Sequence, residues 1–526
     1  MGRFAFTRFS PGPDATALRP KGMVVGKAIA GVVLLLLLAF AVLAVFEADY
    51  LWTAQEQNLF LSTPLFFEQC MQVSGGLLSW AGAWLTQFFY YPALGAGVLC
   101  LLWGLLMLLL RRAFRLPPSW AWLVLVPPAM LLLADVALGY WVYFLKLRGH
   151  LFVPTLGLMA VALLFWCYRV LPPRYGLRSL FIAVATAVAY PLFGFYGLLA
   201  VLLMAVAAFR QRHYAEVAVA VAGIVAVPLL CYHLLYSQTP LVNIWFTALP
   251  IFVHNGVADR WQYYPYVVIV LWLAAVAWRP RVRPLLVWER TMVVLMVLIN
   301  VWVGWPKDDN FSRQLTMYRQ MEQLDWQGML TTISKTKGEP TRALSMMKNL
   351  ALQRTGRLAA DLTRYPDGFA RPDAPFPVHS VHTIGKMLYW QYGIPNYCYR
   401  WCMEDGVEYG WNVAELKLMA KCSLLNGEPV AAQRYLSLLK KTTFYRPWAR
   451  KYETYIRQPR LMADDAEIQA IAPLLRDDDF LTSDQSQLEP FLIEHFASYP
   501  GTTPEQQEMM SVYFKFYLNR NRYVER

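Results

Sequence analysis

Residues 180–209, LFIAVATAVAYPLFGFYGLLAVLLMAVAAF, decide how this chain is laid out. A bilayer core about 30 Å thick takes about 20 residues of apolar helix. This run of 30 residues is therefore long for one crossing and short for two. Its centre, Tyr190-Pro191-Leu192-Phe193-Gly194-Phe195-Tyr196-Gly197, carries helix-breaking and turn residues. Two short helices meeting in a tight hairpin fit it best, and that choice sets the side on which everything later in the chain lies.

Further apolar runs flank the hairpin: Ala28–Phe46, Tyr90–Leu110, Trp120–Tyr140, Leu151–Tyr168, Ala215–Tyr236, Tyr264–Trp278 and Leu286–Val303. With the hairpin counted twice, nine crossings result. The first run is long, and acidic residues follow it where a cleavage site would need small ones, so it reads as an anchor that stays. Basic residues test the count, because cytoplasmic loops collect Lys and Arg. With the N-terminus inside, 17 basic residues fall on inner loops, among them Arg111, Arg112, Arg115, Arg210, Arg212, Arg279, Arg281 and Arg283. Only Lys146, Arg148 and Arg260 fall outside. A single crossing at 180–209 would move the Arg210 and Arg279 clusters outside and spoil the asymmetry.

Composition agrees with a two-part chain. Residues 1–304 hold 20 Lys and Arg against 9 Asp and Glu, and residues 305–526 hold 28 against 26, from totals of 48 and 35. The net charge of +13 is thus mostly a topology signal of the membrane part, and nucleic acid is not an expected partner. The expected fold class is all-α, with a polytopic helix bundle over 1–304 and a polar helical part over 305–526. Nine crossings put that second part outside the cytoplasm, which for a Gram-negative bacterium is the periplasm.

The first outer loop, 47–89, opens with Glu47-Ala48-Asp49, and Leu77–Phe89 behind Gly75-Gly76 reads as an interfacial helix. Other outer ends offer Lys146, Arg148, His150, His254, Asp259 and Arg260, with Tyr50, Trp52, Tyr140, Trp141, Tyr143, Trp245 and Trp261 around them. Carboxylates serve as general base or hold a divalent metal, cations grip phosphate, and aromatic faces suit sugar rings. Aromatic residues also gather at membrane interfaces whatever the function, so simple interface decoration is the competing reading. Asp135, inside MLLLADVALGYW, is either a functional intramembrane acid or one close enough to the interface to stay hydrated.

From Asp308 onward, helical pairs with small residues at their contacts recur. LSMMKNLALQR is followed by Gly356 and a second helix carrying Leu358, Ala359 and Leu362. ELKLMAKCSLL turns at Asn426-Gly427 into a helix with Ala431, Ala432, Tyr435, Leu436 and Leu439. LTMYRQMEQLDWQGMLTTI and the terminal YFKFYLNRNRY read as weaker copies. This pattern resembles tetratricopeptide repeats and implies a degenerate α-solenoid. Cys398 and Cys402 are core thiols, partners for a disulfide with Cys422, or zinc ligands together with His379 and His382.

The layout resembles the GT-C class of integral-membrane glycosyltransferases, which carry an acidic pair just after the first span and interfacial helices before the second. On that resemblance Glu47 and Asp49 match an E-x-D pattern and are the expected catalytic base or metal ligand. The order of a multi-span part and repeats is similar to that of the transmembrane O-mannosyltransferases. GGLLSWAGAWLTQFFYYPALG and NYCYRWCMEDGVEYGW also resemble an uncharacterised family of multi-span bacterial membrane proteins with a domain of unknown function. That likeness implies the two-part architecture and no reaction. The expected function is transfer of a sugar from a polyprenyl-phosphate carrier to an envelope acceptor at the bacterial inner membrane. Lys146, Arg148, His150, His254, Asp259 and Arg260 would bind substrate; no cofactor is fixed by the sequence, and a divalent metal is an option. The alternatives are a membrane-anchored solenoid that recruits envelope proteins and, more weakly, a flippase or transporter.

Overall fold

The computed structural model describes residues 21–479, apart from 118, 119, 121, 173–175, 255, 256, 259, 279–285 and 476–478. It is helical throughout, save for a two-residue antiparallel pairing of Val253–His254 with Val257–Ala258 and an isolated bridge from Thr341 to Ala370. The membrane part runs α1 (Lys21–Val45), α2 (Ala48–Glu56), α3 (Pro64–Met71), α4 (Gly76–Thr86), α5 (Pro92–Ala113), α6 (Val126–Val136), α7 (Val153–Val170), α8 (Leu177–Phe193), α9 (Phe195–Arg210), α10 (Tyr214–Leu234), α11 (Tyr264–Trp278) and α12 (Val287–Gly304). Among the described residues, five helices, ending with Val287–Gly304, are long and apolar enough to cross a membrane, and six if α1 and α2, bent by 68°, count as one span. Leu123–Val136, Leu177–Phe193 and Phe195–Arg210 are shorter apolar helices.

Residues 180–209 fold as two helices, α8 and α9, that pack against each other and meet at Gly194. Gly194 has φ +56°, and a Cβ there would lie 2.6 Å from the Thr247 carbonyl oxygen, so glycine is required. The carbonyls left open at the end of α8 find partners from a distance. Ser74 Oγ donates to the Tyr190 carbonyl at 2.6 Å, and the Gly75 N–H donates to that of Pro191 at 2.9 Å. The run Trp120–Tyr140 departs from the expected single span. Pro127 and Pro128 lie in the first turn of an 11-residue helix, and Gly139 (φ +52°) opens a separate 3-10 turn, Gly139–Tyr143.

The outer loop 47–89 is no open loop. It forms α2, α3 and α4, and Tyr50 to Glu56 are all buried. Tyr50, Leu51 and Ala54 join the core of the membrane helices, while Trp52 joins the core of the C-terminal part. Phe311, Leu315 and Phe376 return the exchange by packing into the membrane core.

The C-terminal part comprises α13 (Asp309–Glu322), α14 (Trp326–Ser334), α15 (Arg342–Arg354), α16 (Leu358–Asp361), α17 (Lys386–Gln391), α18 (Pro395–Glu408), α19 (Val413–Leu425), α20 (Pro429–Leu439), α21 (Arg446–Arg457) and α22 (Ala466–Ile471). The pairs α13–α14 and α19–α20 match the sequence pattern, the latter turning at Gly427 with φ +71°. The partner expected after Gly356 is cut to four residues, and an irregular stretch follows. The terminal YFKFYLNRNRY lies outside the described residues.

One close approach positions the site described next. Gly149 (φ +67°) lies against α4 so tightly that a Cβ would sit 2.2 Å from the Ala83 nitrogen. Gly149→Ala is expected to cost more than about 2 kcal/mol. The melting temperature of the solubilised chain checks this, and an unchanged value would mean the loop can withdraw from α4.

Candidate functional site

Helix α2 carries the expected acids at its start and a polar cleft beyond its end. Phe46 and Glu47 both donate their N–H groups to the Val42 carbonyl, at 2.9 and 3.2 Å, which closes α1 and swings the chain into α2. Glu47 is half-buried. Burial pushes its carboxyl pKa up, and a hydrogen bond from the Trp305 side chain opposes the rise. Near it lies an apolar cleft of about 170 Å³, lined by Leu35, Leu38, Val42, Leu132, Leu298, Val301 and Trp305 among others. Val42 and Trp305 line this cleft and also touch Glu47, so the carboxyl stands next to its Val42–Trp305 end.

Asp49 has a different setting. Its Oδ2 accepts from Thr316 Oγ1 at 2.6 Å and its Oδ1 from Arg319 Nη1 at 2.9 Å, both on α13. The adjacent pair of acids is thus split, with Glu47 at the cleft and Asp49 tied to the C-terminal part.

At the other end of α2, Glu56 is 2% exposed and meets Lys417 Nζ at 2.7 Å. Lys417 also pairs with Glu322, and the Tyr445 hydroxyl donates to Glu56. Burial by itself would lower the Lys417 pKa; the carboxylates of Glu322 and Glu56 outweigh it and hold the ammonium charged. The Lys417 and Arg319 cations lie 6.0 and 5.6 Å from the Trp52 ring.

Lys146, Arg148 and His150 come together in a polar cleft with Gln57, Asn58, Leu59, Tyr409, Gly410 and Trp411. Lys146 pairs with Glu408 at 3.1 Å on the surface, and the Arg148 guanidinium lies 5.1 Å from the Phe66 ring. Burial lowers the His150 pKa to about 4, countered by a hydrogen bond to the Leu147 backbone. The ring is therefore neutral at neutral pH, and its buried Nε2 has no partner. This cleft shares no lining residue with the apolar one, and the nine residues of α2, about 13 Å of helix, lie between them.

His254 ends the first short strand and Arg260 opens a 3-10 turn, Arg260–Tyr263. Asp259 lies outside the described residues. Asp135 is 4% exposed, its Oδ2 has no partner, and its backbone carbonyl accepts from the Tyr50 hydroxyl at 2.7 Å. Tyr140 and Trp141 pack on Phe311 and Phe376, so these aromatics seal the junction with the C-terminal part. Among the described residues no group of three or more His, Cys, Asp or Glu is placed to hold a metal. His382 instead bonds Asp405 at 2.8 Å, and Cys398 is hydrogen-bonded to Cys402 and Cys422 with all three thiols buried.

Sequence reasoning missed Trp305, Asn58, Thr316, Arg319 and Lys417. Only Lys417 left a signal: it sits beside Leu416, Met419 and Ala420 in a helix buried on every side through Leu424. Lys417→Met strands the buried Glu56 and the partly buried Glu322 and is expected to cost about 3 kcal/mol. Adding Glu56→Gln and Glu322→Gln should recover most of that loss. Chemical denaturation of the three proteins checks it, and equal losses in both variants would refute the coupling.

No curated protein and no solved structure matches this chain. Residues 25–511 match the model of DUF6057, a family of unknown function, and the chain belongs to that family.

Proposed function

We propose that the chain is an integral-membrane glycosyltransferase of GT-C-like architecture, moving a sugar from a polyprenyl-phosphate carrier to an envelope acceptor. The observation that carries this reading is the Glu47 carboxyl next to the Val42–Trp305 end of an apolar cleft of about 170 Å³. Leu38 and Leu298 in its lining are 56% and 45% exposed, so the cleft opens sideways toward lipid. A prenyl chain suits such a slot, which would bring its phosphate and sugar up to Glu47. As general base, Glu47 takes the acceptor hydroxyl proton while the oxygen attacks the anomeric carbon and the polyprenyl phosphate leaves. Burial raises the proton affinity of the carboxyl and so suits it to this step. Metal ligation is the alternative role of the same group. Asp49, held by Thr316 and Arg319, acts by fixing the start of α2.

The same proposal places nine crossings in a bacterial inner membrane, with the N-terminus cytoplasmic and a tetratricopeptide-like solenoid in the periplasm. The bent pair, the five long helices and the three shorter apolar ones support that count. In support of a solenoid, α17 to α21 each pack on the next helix in sequence, or on the next but one. A second reading, a membrane-anchored scaffold for envelope proteins, gains from the engagement of Asp49 in an ion pair.

Two measurements test this. Glu47→Gln should lower transfer of labelled sugar from polyprenyl phosphate in isolated membranes by about 100-fold or more, with normal expression and loss of a surface glycan. Asp49→Asn should have a smaller effect. Unaltered transfer and glycans in both variants would leave the scaffold reading in place. Separately, alkaline phosphatase fused after Arg526 should be active, and an inactive fusion would refute nine crossings.

A further inference from the structure

The segment Lys440–Lys451, KKTTFYRPWARK, crowds basic and aromatic residues into the turn between α20 and α21. It belongs to the C-terminal part, yet its backbone is fastened to the chain before α3 and to the 3-10 turn Gln87–Tyr90 that leads into α5. The Lys441 carbonyl accepts from the Ser62 N–H at 3.2 Å, and the Thr443 N–H donates to Gln87 Oε1 at 2.9 Å. Phe444 stacks on Tyr90 with centroids 5.2 Å apart and planes 7° apart, and meets Phe88 and Tyr91 edge-on at 6.0 and 5.8 Å.

This place has the composition of a membrane boundary. Trp84, Tyr91 and Leu94 are 43%, 57% and 48% exposed around the first turn of α5. Exposed aromatics at the end of an apolar helix are the signature of the headgroup layer. The turn Lys441–Tyr445 is thus held at headgroup depth by contacts with the membrane part.

Charge at that depth is one-sided. Glu453 is engaged by Lys440 at 2.8 Å, and Asp465 by Lys451 at 2.8 Å. Lys441, Arg446 and Arg450 are exposed, and among the described residues none of the three has an ion-pair partner. Arg446 and Arg450 stand one turn apart on a single face of α21. Trp448, stacked on Tyr452 at 4.2 Å, fixes the other side of that helix.

We propose that Lys441, Arg446 and Arg450 form a docking surface for the anionic headgroups of the bilayer that holds α5. Phe444 and the aromatics around it set the depth, and the three cations meet lipid phosphates. This rests on α5 crossing a bilayer and not on any chemistry at Glu47, so the two readings fail separately. A cation beside an anionic lipid surface gains about fivefold in local affinity, and salt screens the gain.

The test uses the full chain in nanodiscs of phosphatidylcholine alone or mixed with phosphatidylglycerol. Hydrogen exchange over 440–451 should slow in the anionic discs at low salt, and the difference should vanish at high salt. The triple variant Lys441→Gln, Arg446→Gln, Arg450→Gln should show no lipid dependence, with unchanged exchange in the buried helix α19 proving that it is folded. Equal exchange of the wild type in both discs would overturn the proposal. So would the same slowing by inorganic phosphate in neutral discs, because the surface would then be a plain anion site. A chain that fails to enter discs at all would remove the premise.

Discussion

One ammonium group fastens the two parts of this protein together. Lys417, on a central helix of the C-terminal part, is buried against Glu56 of α2 and Glu322 of α13. An isolated buried charge is too costly to keep, so each member of this trio makes the others tolerable. Such a group adds little net stability, but it admits only one arrangement of the three helices. Trp52, packed in the C-terminal core and flanked by Lys417 and Arg319, fixes the same joint by shape.

The joint also explains which parts of the fold were legible in the sequence. Periodicity reports what a segment does to its own neighbours. The hairpin at Gly194 and the turn at Gly427 were readable because proline, glycine and apolar spacing act within a few residues. The burial of α2 was not readable, since Asp49 finds its partners 267 and 270 residues away. ADYLWTAQE has too few apolar residues to announce a buried helix; its polar members are satisfied by the C-terminal part. For the same reason the different partners of the two acids were not readable: Asp49 bonds Thr316 and Arg319, and Glu47 bonds Trp305. Lys146, Arg148 and His150, close together in the sequence, converge on one cleft, whereas Tyr140 and Trp141 pack on Phe311 and Phe376 of the C-terminal part.

Burial on two fronts gives α2 its importance. One end holds Glu47 over an apolar cleft, and the other passes into Asn58 and the polar cleft of Arg148 and His150. A displacement of this helix would alter both places at once. Its own contacts oppose such movement: Tyr50 is bonded into α6, Asp49 into α13, and Glu56 and Gln57 into α19.

The chain leaves α12 at Gly304 and enters α13 at Asp309, with four residues between. Trp305 in that link bonds Glu47, and Asp308 caps α13 through the Phe311 N–H at 3.1 Å. So short and so engaged a link has no slack to act as a hinge. The C-terminal part is held to the membrane helices by this link as well as by Lys417. The apolar cleft is bounded by α1, α6 and α12, and the exposed Leu38 and Leu298 leave it open at the side.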